Sequence, residues 1–75
     1  MTADQWIRVF ADELGVPPPD EATVEQLLAL AAVAAHQSER TAAPIACFLV
    51  GQAGVDPVRA RAVAAGVHED GRPQS

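Results

Sequence analysis

His36, Glu39 and Arg40 bring the chain's most chemically versatile side chains together, and Thr41-Ala42-Ala43 follows directly. His36 and Arg40 are one helical turn apart. A guanidinium can grip two oxygens of a carboxylate or phosphate at once, and an imidazole can donate a further hydrogen bond. The free amides of a helix's first turn carry partial positive charge and attract anions. If a helix starts near Thr41, then His36, Arg40, Thr41, Ala42 and Ala43 make a candidate anion site. The competing account pairs Arg40 with Glu39 or an acid of the first segment and leaves His36 packed at a helix end.

Other chemistry finds less support. Cys47 is the single thiol. It lies among Ile45, Ala46, Phe48 and Leu49, where a cysteine acts as a small apolar filler. His36, Glu39, Cys47 and His68 are the candidate metal ligands, but no Cys-x-x-Cys or His-Glu-x-x-His spacing occurs. Neither a metal nor a cofactor is expected. Gly51-Gln52-Ala53-Gly54 closes a helix instead of opening one, so it is no phosphate loop. The carboxylates read as caps and solvated faces. An accessory or binding module is expected, not an enzyme. The alternative is a small DNA-binding regulator: Ala53-Gly54-Val55 followed by Asp56 resembles the turn of a helix-turn-helix, with Arg59 and Arg61 near the start of the recognition helix. Net charge −5, from ten acids against five arginines, opposes it. Trp6 and Phe10 suggest a stacking pair for a ligand, but one turn apart in an apolar stripe they are expected in the core.

The elements that must hold these residues follow from caps and periodicity. The chain has 75 residues, enough for one domain whose core is thin. Alanine fills 16 positions and tyrosine is absent, which favours helix over sheet. Thr2 and Gln5 form a capping box opening a helix over 3–14, with Gly15 as its terminator. Ala3, Trp6, Ile7, Phe10 and Leu14 make its apolar stripe, and Asp4, Arg8 and Asp12 its charged side. Pro17-Pro18-Pro19 enforces an extended connector. Thr23, with Gln26, is expected to cap a second helix over about 24–38, facing inward with Val24, Leu27, Leu28, Ala31, Ala34 and Ala35. Thr41 is expected to cap a third, 42–53, whose inner side is Ala42, Ile45, Ala46, Phe48, Leu49 and Ala53. Asp56-Pro57 opens a fourth, 57–65, stopped by Gly66. The expected fold is all-α, a compact bundle of four short helices in one domain, 1–67, with a disordered tail at 68–75.

The second helix carries more apolar surface than one core face requires. Leu30 and Val33 fall away from the Leu27/Leu28 face, and Pro44, Cys47 and Gly51 line up opposite the third helix's inner stripe. These five residues are expected to contribute to a homodimer or protein-partner interface, unless neighbouring helices cover the second one fully. One cysteine and no framework of disulfides point to the cytoplasm. No leader pattern follows Met1, and no stretch is long enough to span a bilayer, so membrane association is not expected.

Trp6 with Phe10-Ala11 and Leu14-Gly15, Leu27-Leu28-x-Leu30-Ala31, Val33-Ala34-Ala35-His36, Arg40, Ala43-Pro44 and Phe48-Leu49-Val50-Gly51-x-Ala53-Gly54 together form a pattern. It resembles a family of small actinobacterial helical domains found alone, or fused to or encoded beside molybdenum cofactor guanylyltransferases. The resemblance spans roughly residues 4–65, and the stretch from His36 to Gly54 is its specific part. It implies an accessory role in assembling molybdopterin dinucleotide cofactor. Such a module would act in trans on the guanylyltransferase, on a molybdoenzyme precursor or on the cofactor's phosphate.

Overall fold

The computed structural model of the chain describes residues 1–67, and the expected disorder of 68–75 lies outside them. Four α-helices follow one another: α1 (Ala3–Leu14), α2 (Glu21–Gln37), α3 (Ala42–Ala53) and α4 (Pro57–Ala65). The all-α bundle read from the sequence is the fold observed. It measures 39 × 22 × 18 Å.

Local chemistry sets most of the boundaries. At α1 the capping box closes in both directions. The Gln5 amide donates to Thr2 Oγ1 at 3.1 Å, and the Thr2 amide donates to Gln5 Oε1 at 2.8 Å. Arg8 pairs with Asp4 at 3.0 Å on the solvent side. α1 and α3 both end on a glycine in the left-handed region, Gly15 at φ 76° and Gly54 at φ 68°, where a Cβ would be strained. At α4, Asp56 accepts a hydrogen bond from the Val58 amide at 2.9 Å, with Pro57 in the first turn.

Two caps differ from expectation. α2 starts three residues earlier than Val24 because Asp20, not Thr23, is its cap. The Asp20 carboxylate accepts from the Thr23 amide at 2.8 Å. The three prolines deliver Asp20 in an extended conformation, φ −76° and ψ 171°, which an N-cap requires. Thr41 does not cap α3. Its backbone is already helical, φ −67° and ψ −17°, and its side chain makes no capping hydrogen bond.

α2 is the hub and packs against both α3 and α4. A cross-helix hydrogen bond from Arg61 to Gln26 Oε1, 3.4 Å, ties α4 to its first half. Among the described residues three are buried: Ala11, Leu30 and Ala60. This overturns the expected orientation of α2. Leu30, assigned to an interface with another molecule, is 2% exposed and is the deepest side chain, whereas Leu28, assigned to the core, is 66% exposed. Val33 is half-buried on the same helix. A helix clamped by two neighbours covers a wide arc, and that arc runs through Leu30.

α3 is turned over as well. Ala43, Ala46, Cys47 and Val50 are half-buried, while Ile45, Phe48 and Leu49 are exposed. Cys47 therefore belongs to the packed side, not to the outer line with Pro44 and Gly51. α3 meets α2 through its smaller residues, which permits close approach of the two backbones.

α1 makes no extensive contact with the other helices. Ala11 is buried and Ile7 half-buried, but Trp6 and Phe10 are 55% and 48% exposed. They are not core. They stack on each other at 5.0 Å between ring centroids, so the aromatic pair covers itself in part.

Candidate functional site

The C-terminal end of α2, the first half of α3 and the end of α4 enclose an open cleft of about 720 Å³. His36, Gln37 and Ser38 supply its polar wall, and Ala46, Ala64 and Val67 its apolar one. Ser38 is partly spent on the backbone, since its hydroxyl donates to the Ala34 carbonyl at 2.9 Å. His36 reaches the cleft because it occupies the last turn of α2.

Arg40 and Thr41 are exposed and are not part of the cleft wall. The two backbone amides assigned to the anion site are not free. Ala42 donates to the Glu39 carbonyl at 2.9 Å and Ala43 to the Arg40 carbonyl at 3.2 Å. Position 44 is a proline and has no amide to offer. The first turn of α3 thus continues a tight turn over Glu39–Thr41 and presents no open donor. The cleft also lies against the carboxyl end of α2, where the helix dipole is negative and disfavours an anion. The backbone half of the predicted anion site is therefore absent, and His36 and Arg40 remain as exposed side chains.

Among the described residues no three His, Cys, Asp or Glu side chains come together as a metal site. His68, one of the metal candidates, lies outside those residues. Arg59 and Arg61 are both exposed on α4. α4 packs chiefly on α2, and one of the two arginines is directed to Gln26.

The remaining feature is apolar and large. Trp6, Val9, Phe10 and Leu14 on α1, Leu28 on α2, and Ile45, Phe48 and Leu49 on α3 all stand exposed. Of the predicted interface residues, Pro44 and Gly51 share the outer side of α3 with Phe48. Trp6, Phe10 and Phe48, expected in the core, are prominent surface groups. The charge-free run from Thr41 to Val55 was the available signal, because a helix with no charged side cannot announce which side faces water.

The described residues thus form a small helical domain with an open cleft at one end of α2 and large apolar side chains exposed on its helices. Residues 1–72 match the model of the domain of unknown function DUF6457, and the chain belongs to that family. No curated protein and no solved structure matches the chain. Among the described residues no helix is long and apolar enough to cross a membrane.

Proposed function

We propose that this domain is a non-catalytic accessory module that binds another protein through the open apolar faces of α1 and α3. One observation carries this. Among the described residues Trp6, Val9, Phe10 and Leu14 on α1 and Ile45, Phe48 and Leu49 on α3 stand exposed, while three residues are buried and the largest of those is a leucine. Soluble monomers rarely leave contiguous apolar patches of more than a few hundred Å² uncovered, and such patches mark contact sites. Aromatic side chains dominate the energetics of contact surfaces; the single tryptophan and one phenylalanine are exposed on α1 and the other phenylalanine on α3.

The first partner to try is a molybdenum cofactor guanylyltransferase, on the strength of the sequence pattern from His36 to Gly54. In that setting the module would steady the transferase or a molybdoenzyme precursor by contact. Trp6 supplies the assay, since it is the only tryptophan and is half in water. A transferase lacking tryptophan at its surface, added to the domain, should shift Trp6 emission to shorter wavelength and co-elute with it. Phe10→Ser and Phe48→Ser together should abolish both signals. Unmoved emission with separate elution would overturn the assignment of this partner.

A further inference from the structure

α1 turns only one edge toward the rest of the chain. Ile7 is half-buried and Ala11 buried, and every other residue of the helix is exposed. Trp6, Val9, Phe10 and Glu13 stand at i, i+3, i+4 and i+7, so they share one face. Glu13 is the odd member, a carboxylate on a face that is otherwise apolar. One turn before it come Val9 and Phe10, and one turn after it come Val16 and Pro17, so no cation lies within reach along its own helix. The ion pair of α1, Arg8 with Asp4, is half a circumference away. The last turn of α1 holds no basic residue, and there the helix dipole is already negative and disfavours a carboxylate. Among the described residues no complementary charge meets Glu13.

We infer that this face of α1 docks a basic amphipathic helix of another protein, with apolar side chains over Trp6, Val9 and Phe10 and a lysine or arginine against Glu13. This rests on the reading of α1 as a contact surface and adds the charge of its partner. Charge complementarity makes the choice. The chain carries −5, so a basic segment is drawn in from a distance, while an acidic one is repelled. Close up, Glu13 is one turn from Phe10, with Cβ atoms about 5–6 Å apart. A lysine or arginine can lay its aliphatic stem along the Phe10 ring and still bring its head to the carboxylate. An arginine gains a further attraction from the face of the ring. The negative end of the α1 dipole lies at the same place and adds to the pull. Trp6 and Phe10 stack with their centroids 5.0 Å apart. That spacing leaves no gap for a small cation caged between the rings, so the partner lies across the face. The face is about 10 Å long at 1.5 Å per residue, which two turns of a packed helix match.

Trp6 emission tests this on the full chain, with synthetic peptides as probes. The first is a tryptophan-free amphipathic helix of leucine and lysine, about 14 residues or four turns long. The second carries glutamate at every lysine. The lysine peptide should move Trp6 emission to shorter wavelength, and the glutamate peptide should not at the same concentration. Raising salt should weaken the first complex, because it screens the attraction. Glu13→Gln should weaken it about three- to fivefold, the loss of one exposed ion pair. Glu39→Gln removes the same charge from the turn before α3 and should change it less than about twofold. Thermal melts should show the Glu13→Gln chain at least as stable as the parent, since a carboxylate at the negative end of a helix is gone. Equal binding of the two peptides, equal loss in the two variants, or a lower melting point for Glu13→Gln overturns the inference. So does a Glu13→Gln chain that keeps its affinity. A lysine peptide that leaves Trp6 unmoved while the transferase still shifts it defeats the basic helix alone. Failure of both probes removes the support for α1 as a contact surface as well.

Discussion

Exchanging Leu30 or Leu28 for alanine separates the two possible orientations of α2. Leu30→Ala removes three carbon groups from a site that is 2% exposed. At ~0.8 kcal/mol per buried group the transfer loss is ~2.4 kcal/mol. Incomplete collapse of the cavity raises it to about 3 kcal/mol. A domain of this size holds only ~3–5 kcal/mol in total, so the variant should sit close to its unfolding midpoint before any denaturant is added. Leu28 is 66% exposed. Its replacement forfeits about a third of the transfer term, ~0.8 kcal/mol, and alanine's helix preference returns a small part of that. Urea unfolding followed by far-UV circular dichroism measures both. With a slope near ~1 kcal/mol per molar urea, Leu30→Ala should lower the midpoint by about 3 M and Leu28→Ala by less than about 1 M. The protein should be dilute, since any self-association adds to apparent stability. Equal midpoints, or a larger loss at Leu28, would refute the packing of α2 described above.

Two glycines should respond in opposite directions to the same change. Gly51→Ala should raise stability by ~0.5–1 kcal/mol because its backbone is helical and its surroundings are open. Gly54→Ala should lower it by ~1–2 kcal/mol because φ there is +68°; paired thermal melts distinguish them. Acid should act on the start of α2. Hydrogen bonds from the Thr23 side chain and then from its amide hold the Asp20 carboxyl below the usual carboxylate range. Its folded value is thus depressed, so its contribution is complete above the unfolded value of about 3.9 and is lost as pH falls through the folded one. Asp20→Asn keeps a capping oxygen that does not titrate, so helicity in that variant should fall less steeply than in the parent below about pH 4. Identical acid profiles would exclude a titrating cap at this helix.

The helices were legible wherever the chain carries its own punctuation. Thr2 with Gln5, Gly15, Gly54 and Asp56-Pro57 act within a few residues, so both ends of α1, the end of α3 and the start of α4 need no tertiary information. Asp20 was passed over for Thr23 because both are capping residues three apart, and the prolines before Asp20 decide between them. Orientation was another matter. α2 carries Val24, Leu27, Leu28, Leu30, Ala31 and Val33 around most of its circumference, and its weak amphipathicity gives periodicity no direction to report. α3 has no charged residue to mark a wet side. On α1 the charged residues did mark one, yet an apolar stripe opposite them specifies only that something apolar belongs there, not that this chain provides it. At the cleft, His36 was findable from its place in the last turn of a helix. The loss of the Ala42 and Ala43 amides was not, because it depends on the turn over Glu39–Thr41 that carries their carbonyl partners.

The arrangement of the hub helix also bears on how the chain assembles during synthesis. α1 and the proline connector leave the ribosome before α2, but α1 has little to dock on. α2 follows with both of its sides bare. Its partners are the next two helices, so the principal contacts join elements no more than one helix apart in the chain, a topology associated with microsecond-to-millisecond folding. Closure still waits for Ala60, which lies in the last helix described. Until that residue emerges, Leu30 has only one of its two neighbours, and the nascent chain is at its most vulnerable to proteases and to adhesion.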